Sequence, residues 1–508
     1  MALPSTMAFL PFLFLSLLFL SLLLLLTRKR KGKTIAPKLP PGPAKLPIIG
    51  NLHQLGKHPH HSLWQLSQQH GPLMYLKLGR IPTLVVSSPS MAREIFKTHD
   101  HECCSRPPLI PSTKLSYGSL DVAFAPYGDQ WRELRKVCII ELFSNKKVLS
   151  FRSIREEEIE RTMNIISSCS NNLFPIDLSK LLFSLSGSII CRTAFGRCYH
   201  GGGESRFHKI LKEAQAMLGG LFVANYLPIF GWVDKVTGMQ ARLEKIFLQL
   251  DDFYQQLIDE HIDPSRLQYD HEDEDTIDAL LRIQKDANYI TQDHIKAVLM
   301  NIFIAGTDTS SSTVDWAMAE LMRHPRVMKK AQYEIRGIVG RKGRVEESDL
   351  HQLHYIKSVV KEVMRLHPAA PLLVPRETMR HFMINGYDIP PKTTVITNAW
   401  AIGRDANTWH MPREFYPERF MDSSVELELK GHGFELIPFG EGRRICPAKN
   451  LALLLVELVL ANLLYRFDWE LPSGMRKEDI DMDEATGITV HRKSALCLVA
   501  KRYDKMDR

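Results

Sequence analysis

The chain of 508 residues is 44% hydrophobic and 24% charged, ordinary globular proportions that exclude a disordered or fibrous protein and leave ample material for a large core. Its formal net charge of +8 would fit a nucleic-acid partner only until the positives are located: Arg28, Lys29, Arg30, Lys31 and Lys33 hold five of them, the remainder is nearly balanced, and no nucleic acid is expected. The eight cysteines form no CxxC pair and no framework of the kind small secreted domains use, which points to a reducing compartment.

In chain order, the first predicted element is residues 7–26, MAFLPFLFLSLLFLSLLLLL, uncharged throughout and long enough as a helix to cross a bilayer core of roughly 30 Å. The basic cluster follows it and no Ala-x-Ala is present, so an uncleaved single-pass anchor is expected over a removed signal peptide. By the positive-inside rule the bulk of the chain stays cytosolic. Pro40, Pro41 and Pro43 in KLPPGPAKLPIIGN (38–51) forbid helix and predict a stiff, extended hinge. The expected division is a membrane anchor at 1–27, a basic cluster and hinge at 28–51, and one domain at 52–508.

Strands are predicted at 74–79 and 83–88, where apolar and β-branched residues run between glycine and proline. From about Met91 to Arg365 the periodicity is helical, with segments at 91–98, 148–168, 239–261 and 331–339; the acidic run at 270–275 reads as a solvated loop. Thr291 as N-cap and Pro325 as stop delimit a helix of about 50 Å at ~1.5 Å per residue. Its middle, AGTDTSSST (305–313), sets a glycine and seven hydroxyl or carboxyl side chains directly after an all-apolar turn. That pattern predicts a polar, locally opened groove in a buried helix, with Ser and Thr bonding back one turn. Strands at 487–492 and 495–501 close a mainly α protein with a small β region.

Cys446 lies in PFGEGRRICPAKN (438–450), behind Gly440, Gly442, Arg443 and Arg444 and before Pro447. Pro447 suits the first position of a helix, which would set Cys446 at or beside its N-cap, where free amides, the helix dipole and the arginines stabilise a thiolate. A buried structural thiol, a nucleophile with a distant histidine base, and a metal ligand are the readings open to it. Zinc would want further Cys or His ligands at short spacing, and none is nearby. A lone axial thiolate on haem iron fits all the local features at once.

FGEGRRICPA closely resembles the haem-thiolate signature of the cytochrome P450 superfamily, with Phe439, Gly442, Arg444 and Cys446 at the expected spacing. AGTDTS, with Asp308 and Thr309, resembles that family's oxygen-activation motif. KEVMR, with Glu362 and Arg365, resembles its Glu-x-x-Arg pair; FYPERF, with Arg419, resembles the segment that completes the salt-bridge network. WRELR, with Trp131 and Arg135, is similar to the motif that holds a haem propionate, and the anchor and hinge resemble those of microsomal, plant A-type members. One departure is Ala448, where the family most often has glycine; a helical setting there would favour alanine by about 1 kcal/mol.

The resemblance implies a single haem-thiolate fold carrying haem b and a monooxygenase reaction. Electrons come from NADPH through a membrane-bound reductase; one atom of dioxygen leaves as water and the other enters a substrate C–H bond. It implies Cys446 as axial ligand, Thr309 and Asp308 in proton delivery, and a cytosol-facing domain on the endoplasmic reticulum. Reductase docking is expected at Arg132, Lys136, Arg443 and Lys449. Segments 106–124, 301–305, 369–374 and 486–490 correspond to substrate-recognition regions and are mostly apolar, which points to a hydrophobic small molecule of plant specialised metabolism. A terpenoid is favoured over an alkaloid or phenolic. A reductase-independent haem-thiolate isomerase or dehydratase is the alternative, and Asp308 and Thr309 argue against it.

Overall fold

Residues 73–86 fold as the predicted hairpin, β1 (Leu73–Leu78) and β2 (Ile81–Val86), turning at Gly79 with φ +59. A computed structural model describes residues 37–170, 174–197, 206–264, 274–286, 289–421 and 433–503, with the isolated positions Ser16 and Ser21. The expected anchor at 1–27 and the basic cluster lie outside the described residues apart from those two serines. Among the described residues no single helix is long and apolar enough to cross a membrane.

The other strands are β3 (Ile176–Asp177), β4 (Arg376–Glu377), β5 (Phe382–Ile384), β6 (Tyr387–Ile389), β7 (Thr394–Thr397), β8 (Phe467–Glu470) and β9 (Cys497–Arg502). The four-stranded sheet runs β1-β2-β7-β4, with β2 and β7 parallel, and a second sheet runs β3-β9-β8. β5 and β6 form a hairpin on Asn385 and Gly386, both at positive φ as a tight two-residue turn requires. The predicted strand at 487–492 is not formed. Its Val490 N–H instead bonds the Ala369 carbonyl at 2.8 Å, and its carbonyl accepts from Ser312 and Trp316.

The hinge is not a free spacer from Pro41 onward. Tyr75 N–H bonds the Pro41 carbonyl, Asn51 N–H bonds the Lys77 carbonyl, and the Asn51 side chain accepts from Lys77 N–H, so the segment lies along β1. Asp275 departs from the solvated-loop reading: it is buried, and its carboxylate caps the amides of Ile277 and Asp278.

The helices that frame the site are α1 (Pro59–His70), α2 (Asp129–Val137), α3 (Arg152–Ser170), α4 (Leu178–Phe195), α5 (Arg206–Leu218), α6 (Met239–Ile262), α7 (Gln292–Arg323), α8 (Pro325–Val339), α9 (His354–Leu366) and α10 (Lys449–Arg466). α7 begins and stops as its sequence predicts: Thr291 caps the His294 amide in a reciprocal capping box, and Pro325 follows. It packs most extensively on α4, then on α10. One hydrophobic core gathers around its C-terminal half, from Val314 to Met322, with α3, α4, α8, α9 and α10. A second gathers around its N-terminal half, from Ile295 to Ile304, with α5 and α6. The polar stretch 305–313 is the seam between the two cores. The helix runs unbroken through that seam, while Thr309, Ser311 and Thr313 bond back to the carbonyls of Ala305, Thr307 and Thr309.

Candidate active site

A cavity of about 350 Å³ opens beside this seam, walled by Ala305, Gly306 and Thr309 on one side and by Phe439, Gly440, Cys446 and Ala448 on the other. The wall opposite α7 is built by a loop that needs its glycines. Gly440 and Gly442 have φ of +68 and +70. A Cβ on Gly442 would collide with the Asp100 carboxylate and the Phe96 carbonyl, whereas one on Gly440 would meet only Leu373 at 3.9 Å, so that turn leaves clear space on the cavity side.

Cys446 donates its N–H to the Phe439 carbonyl at 3.0 Å and closes the loop over 439–446. This displaces the helix start from the predicted position. α10 begins at Lys449 with Ala448 as N-cap, its carbonyl accepting from Ala452 N–H at 2.9 Å, and Pro447 belongs to the turn before it. Burial pushes the Cys446 thiol up; the Ala448 amide, Arg135 and Lys449 pull it back toward the thiolate.

Five guanidinium groups line the same cavity; Arg155 is paired with Glu347, and the other four crowd one another. Arg444 donates to the carbonyls of Cys104, Val122 and Ala125 and sits 3.8 Å from the Trp131 ring centre. Arg135 donates to the Ile445 carbonyl at 2.6 Å. Arg106 reaches the carbonyls of Ala123, Val374 and Pro375, and Arg376 pairs with Asp100 and the Glu441 carbonyl. Burial, with Arg376 and Arg135 nearby, draws Arg444 down to about 9 despite the Cys104 sulfur beside it; burial and its arginine neighbours also lower Arg106. Crowded positive charge beside a cavity is a socket for an anionic group. Trp131 Nε1 is committed to the Val122 carbonyl at 2.9 Å, so its ring serves as the platform under Arg444. Arg106 and Arg376 escaped the sequence reading; the signal available was a lone arginine beside proline in RPPL and VPRE, within otherwise apolar loops.

Thr309 faces the cavity, and its hydroxyl bonds the Ala305 carbonyl at 2.8 Å. Asp308 is turned away from it: its buried carboxylate has His491 Nδ1 at 3.3 Å, without the alignment of a hydrogen bond. Burial raises Asp308, and His491 and Thr489 offset part of that rise.

Behind the cavity, Glu362 and Arg365 are fully buried on α9. Arg365 grips both carboxylate oxygens at 2.7 and 2.8 Å and also donates to the carbonyls of Gly403, Pro412 and Glu414. Arg419 Nε and Tyr416 N–H donate to the same carboxylate. The three residues meet as one network that pins the 403–419 segment to α9.

Compared with known proteins, residues 40–499 match the profile of the family described as Cytochrome P450. The chain belongs to this family. It is 53% identical to cytochrome P450 71A9 of Glycine max over 92% of this chain and 93% of that one. It is 49% identical to strychnine-11-hydroxylase of Strychnos nux-vomica over 98% of both. A zebra fish cytochrome P450 solved with abiraterone superposes with a TM-score of 0.73 at 26% identity, over 88% of this chain and all of that one. The protein is a plant A-type P450 monooxygenase, and the family implies haem.

The residues present fit that group. The Cys446 thiol on a glycine-cleared wall faces the polar seam of α7, and the arginines would supply the charge its two propionates need. When bound, haem supplies dioxygen activation at its iron.

Ala448 has φ −94 and ψ 17, a conformation that imposes no strain on its methyl. Its place is an N-cap rather than the helix interior expected from the sequence, so the helix-propensity advantage of alanine does not apply there. Ala448→Gly is therefore expected to retain haem and to raise stability by about 0.5 kcal/mol, read as a slightly higher melting temperature of the loaded protein.

Proposed function

We propose that this P450 uses haem b, with Cys446 as axial ligand, to oxidise a neutral, hydrophobic small molecule of plant specialised metabolism, a terpenoid ahead of other classes. The observation that carries the substrate reading is the cavity wall. Its apolar part is formed by residues such as Val122, Ile302, Ala305, Ala370, Leu373 and Val374, and every charged side chain on it is an arginine. An ammonium-bearing ligand would find no carboxylate there. The 49% identity to strychnine-11-hydroxylase favours an alkaloid as the second reading. Turnover with a reductase against terpenoids, alkaloids and phenolics, read by mass spectrometry, decides between them. Conversion without NADPH would instead favour the isomerase or dehydratase.

In this reading Thr309 holds a hydroxyl where a proton is needed, and Asp308 with His491 links the buried helix to the surface. Electrons come from NADPH through a reductase docked on the Cys446 side. Two of the four expected docking charges are engaged within the chain, Arg132 with Asp129 and Arg443 with Asp100. Lys449 is half-buried and acts on Cys446. Lys136 is exposed and is the clean probe. Lys136→Glu is expected to lower reductase-supported turnover about tenfold at low salt while leaving peroxide-supported turnover unchanged; equal reductase rates in both proteins would remove this docking face.

Residence on the endoplasmic reticulum membrane is part of the same proposal. Exposed Leu46 and Ile48, and exposed Leu221, Ile229, Trp232 and Val236, belong to neighbouring segments. The 46–50 turn pairs with Leu78, and Arg80 N–H bonds the Tyr226 carbonyl. An apolar face of this kind suits a lipid surface beside an N-terminal anchor.

A further inference from the structure

We propose that His60, His61 and Glu484, with His58 brought in as a fourth ligand, form a zinc site that fastens the C-terminal loop to the start of α1. The sequence HPHH places three imidazoles around one turn, with His58 as the N-cap of α1 and Pro59 at its first position. Glu484 arrives from the far end of the chain, bridged to Arg492. All three rings converge on one carboxylate oxygen: His60 Nε2 at 2.6 Å, His61 Nε2 at 3.3 Å and His58 Nδ1 at 4.0 Å. Ligand atoms around tetrahedral zinc, at bonds of about 2.0–2.1 Å, stand roughly 3.3 Å apart. Measured from the Glu484 oxygen, His61 already stands at that separation, His60 must open and His58 must close by about 0.7 Å, within the reach of side-chain rotation.

The surroundings fix the rings. Asn398 donates to the His60 carbonyl at 2.8 Å, and Trp400 packs on His60 and His61 with its own outer face covered by Arg404. The His61 side chain is 39% exposed and gives an ion its way in. The other metal-sized cluster among the described residues, His261 with Asp275 and Asp278, is committed elsewhere: Asp275 caps a helix and His261 Nδ1 meets the Leu257 carbonyl.

Fastening Glu484 has a consequence at the active site. The loop that carries it continues to Val490, which bonds Ala369 of the cavity wall and receives Ser312 and Trp316 of α7. Zinc at Glu484 therefore stiffens a segment that contacts both. The proposal stands independently of the substrate reading.

The test uses the full-length, haem-loaded protein carrying an affinity tag without histidine, stripped with chelator, given zinc and passed through gel filtration. About one zinc per chain is expected to remain, with a first shell of nitrogen and oxygen by X-ray absorption. His61→Ala and Glu484→Gln are each expected to weaken binding at least about tenfold, with unchanged circular dichroism showing that both fold. Amide exchange over 484–491 should slow with zinc in the wild type and not in His61→Ala. No retained zinc, or equal retention by both variants, overturns the site; retained zinc with unchanged exchange overturns its coupling to the loop.

Discussion

Replacing Cys446 with alanine is expected to abolish both the thiolate-type Soret band of the reduced carbon-monoxide complex and NADPH-driven turnover. Among the cavity-lining residues, Cys446 and Cys138 carry the only thiols. Burial drives Cys138 up to about 12, with only Arg135 opposing, so it stays protonated. Cys446 has an amide donor and two cations that favour the thiolate. In the proposed site, a neutral methyl would leave a bound haem without the electron-donating thiolate. The fall in turnover is expected to exceed about a thousandfold, since the affected step is one that remote binding cannot replace. The protein should still fold, because the 439–446 loop is closed by the Cys446 backbone and not by its sulfur. A thiolate-type band that survives the substitution would remove Cys446 from the site.

Glu362→Gln is expected to be the most destabilising single change. The carboxylate is fully buried and accepts from Arg365, Arg419 and Tyr416, while the two guanidinium groups it balances have few other anions near them. Burial already lowers Arg419, with Glu362 the chief opposing influence. Removing one partner of such a network leaves buried charge uncompensated, at a cost of about 3–5 kcal/mol. That approaches the whole stability of many domains. The measurement is the yield of haem-loaded protein and its melting temperature, both expected to fall sharply. Glu457→Gln is a control that should have much less effect: burial raises that carboxyl to about 7, with only partial relief from Lys357 and Lys361, so about half of it is already neutral near pH 7.

Much of this arrangement was legible in the sequence because its causes are local. α7 was predicted over 291–324 and found at Gln292–Arg323, since a capping threonine and a proline act on the residues beside them. The glycines before Cys446 also act locally, and Gly440 leaves the cavity side of its turn clear. The helix after Cys446 was misplaced by two residues because its start is set by the Cys446 to Phe439 bond, which closes a loop that composition does not reveal. The β-branched run at 487–492 looked like a strand, yet Val490 bonds Ala369 and side chains of α7, and only the end of the run bridges back to Glu484, a pairing chosen by tertiary packing. Asp308 and Thr309 were read together, but successive residues on an α-helix point roughly 100° apart. One therefore faces the cavity and the other the C-terminal loop. Arg106 and Arg376 carry only a weak local signal, an arginine beside proline, because it is the fold that brings them beside Arg135 and Arg444.

The direct test of the central claim is turnover of the purified protein with a reductase, NADPH and a neutral terpenoid panel under isotopically heavy dioxygen, read by mass spectrometry. A product that carries one heavy oxygen atom, depends on NADPH and disappears with Cys446→Ala is the predicted result. A product whose oxygen comes from water, or that forms equally without NADPH, would contradict it.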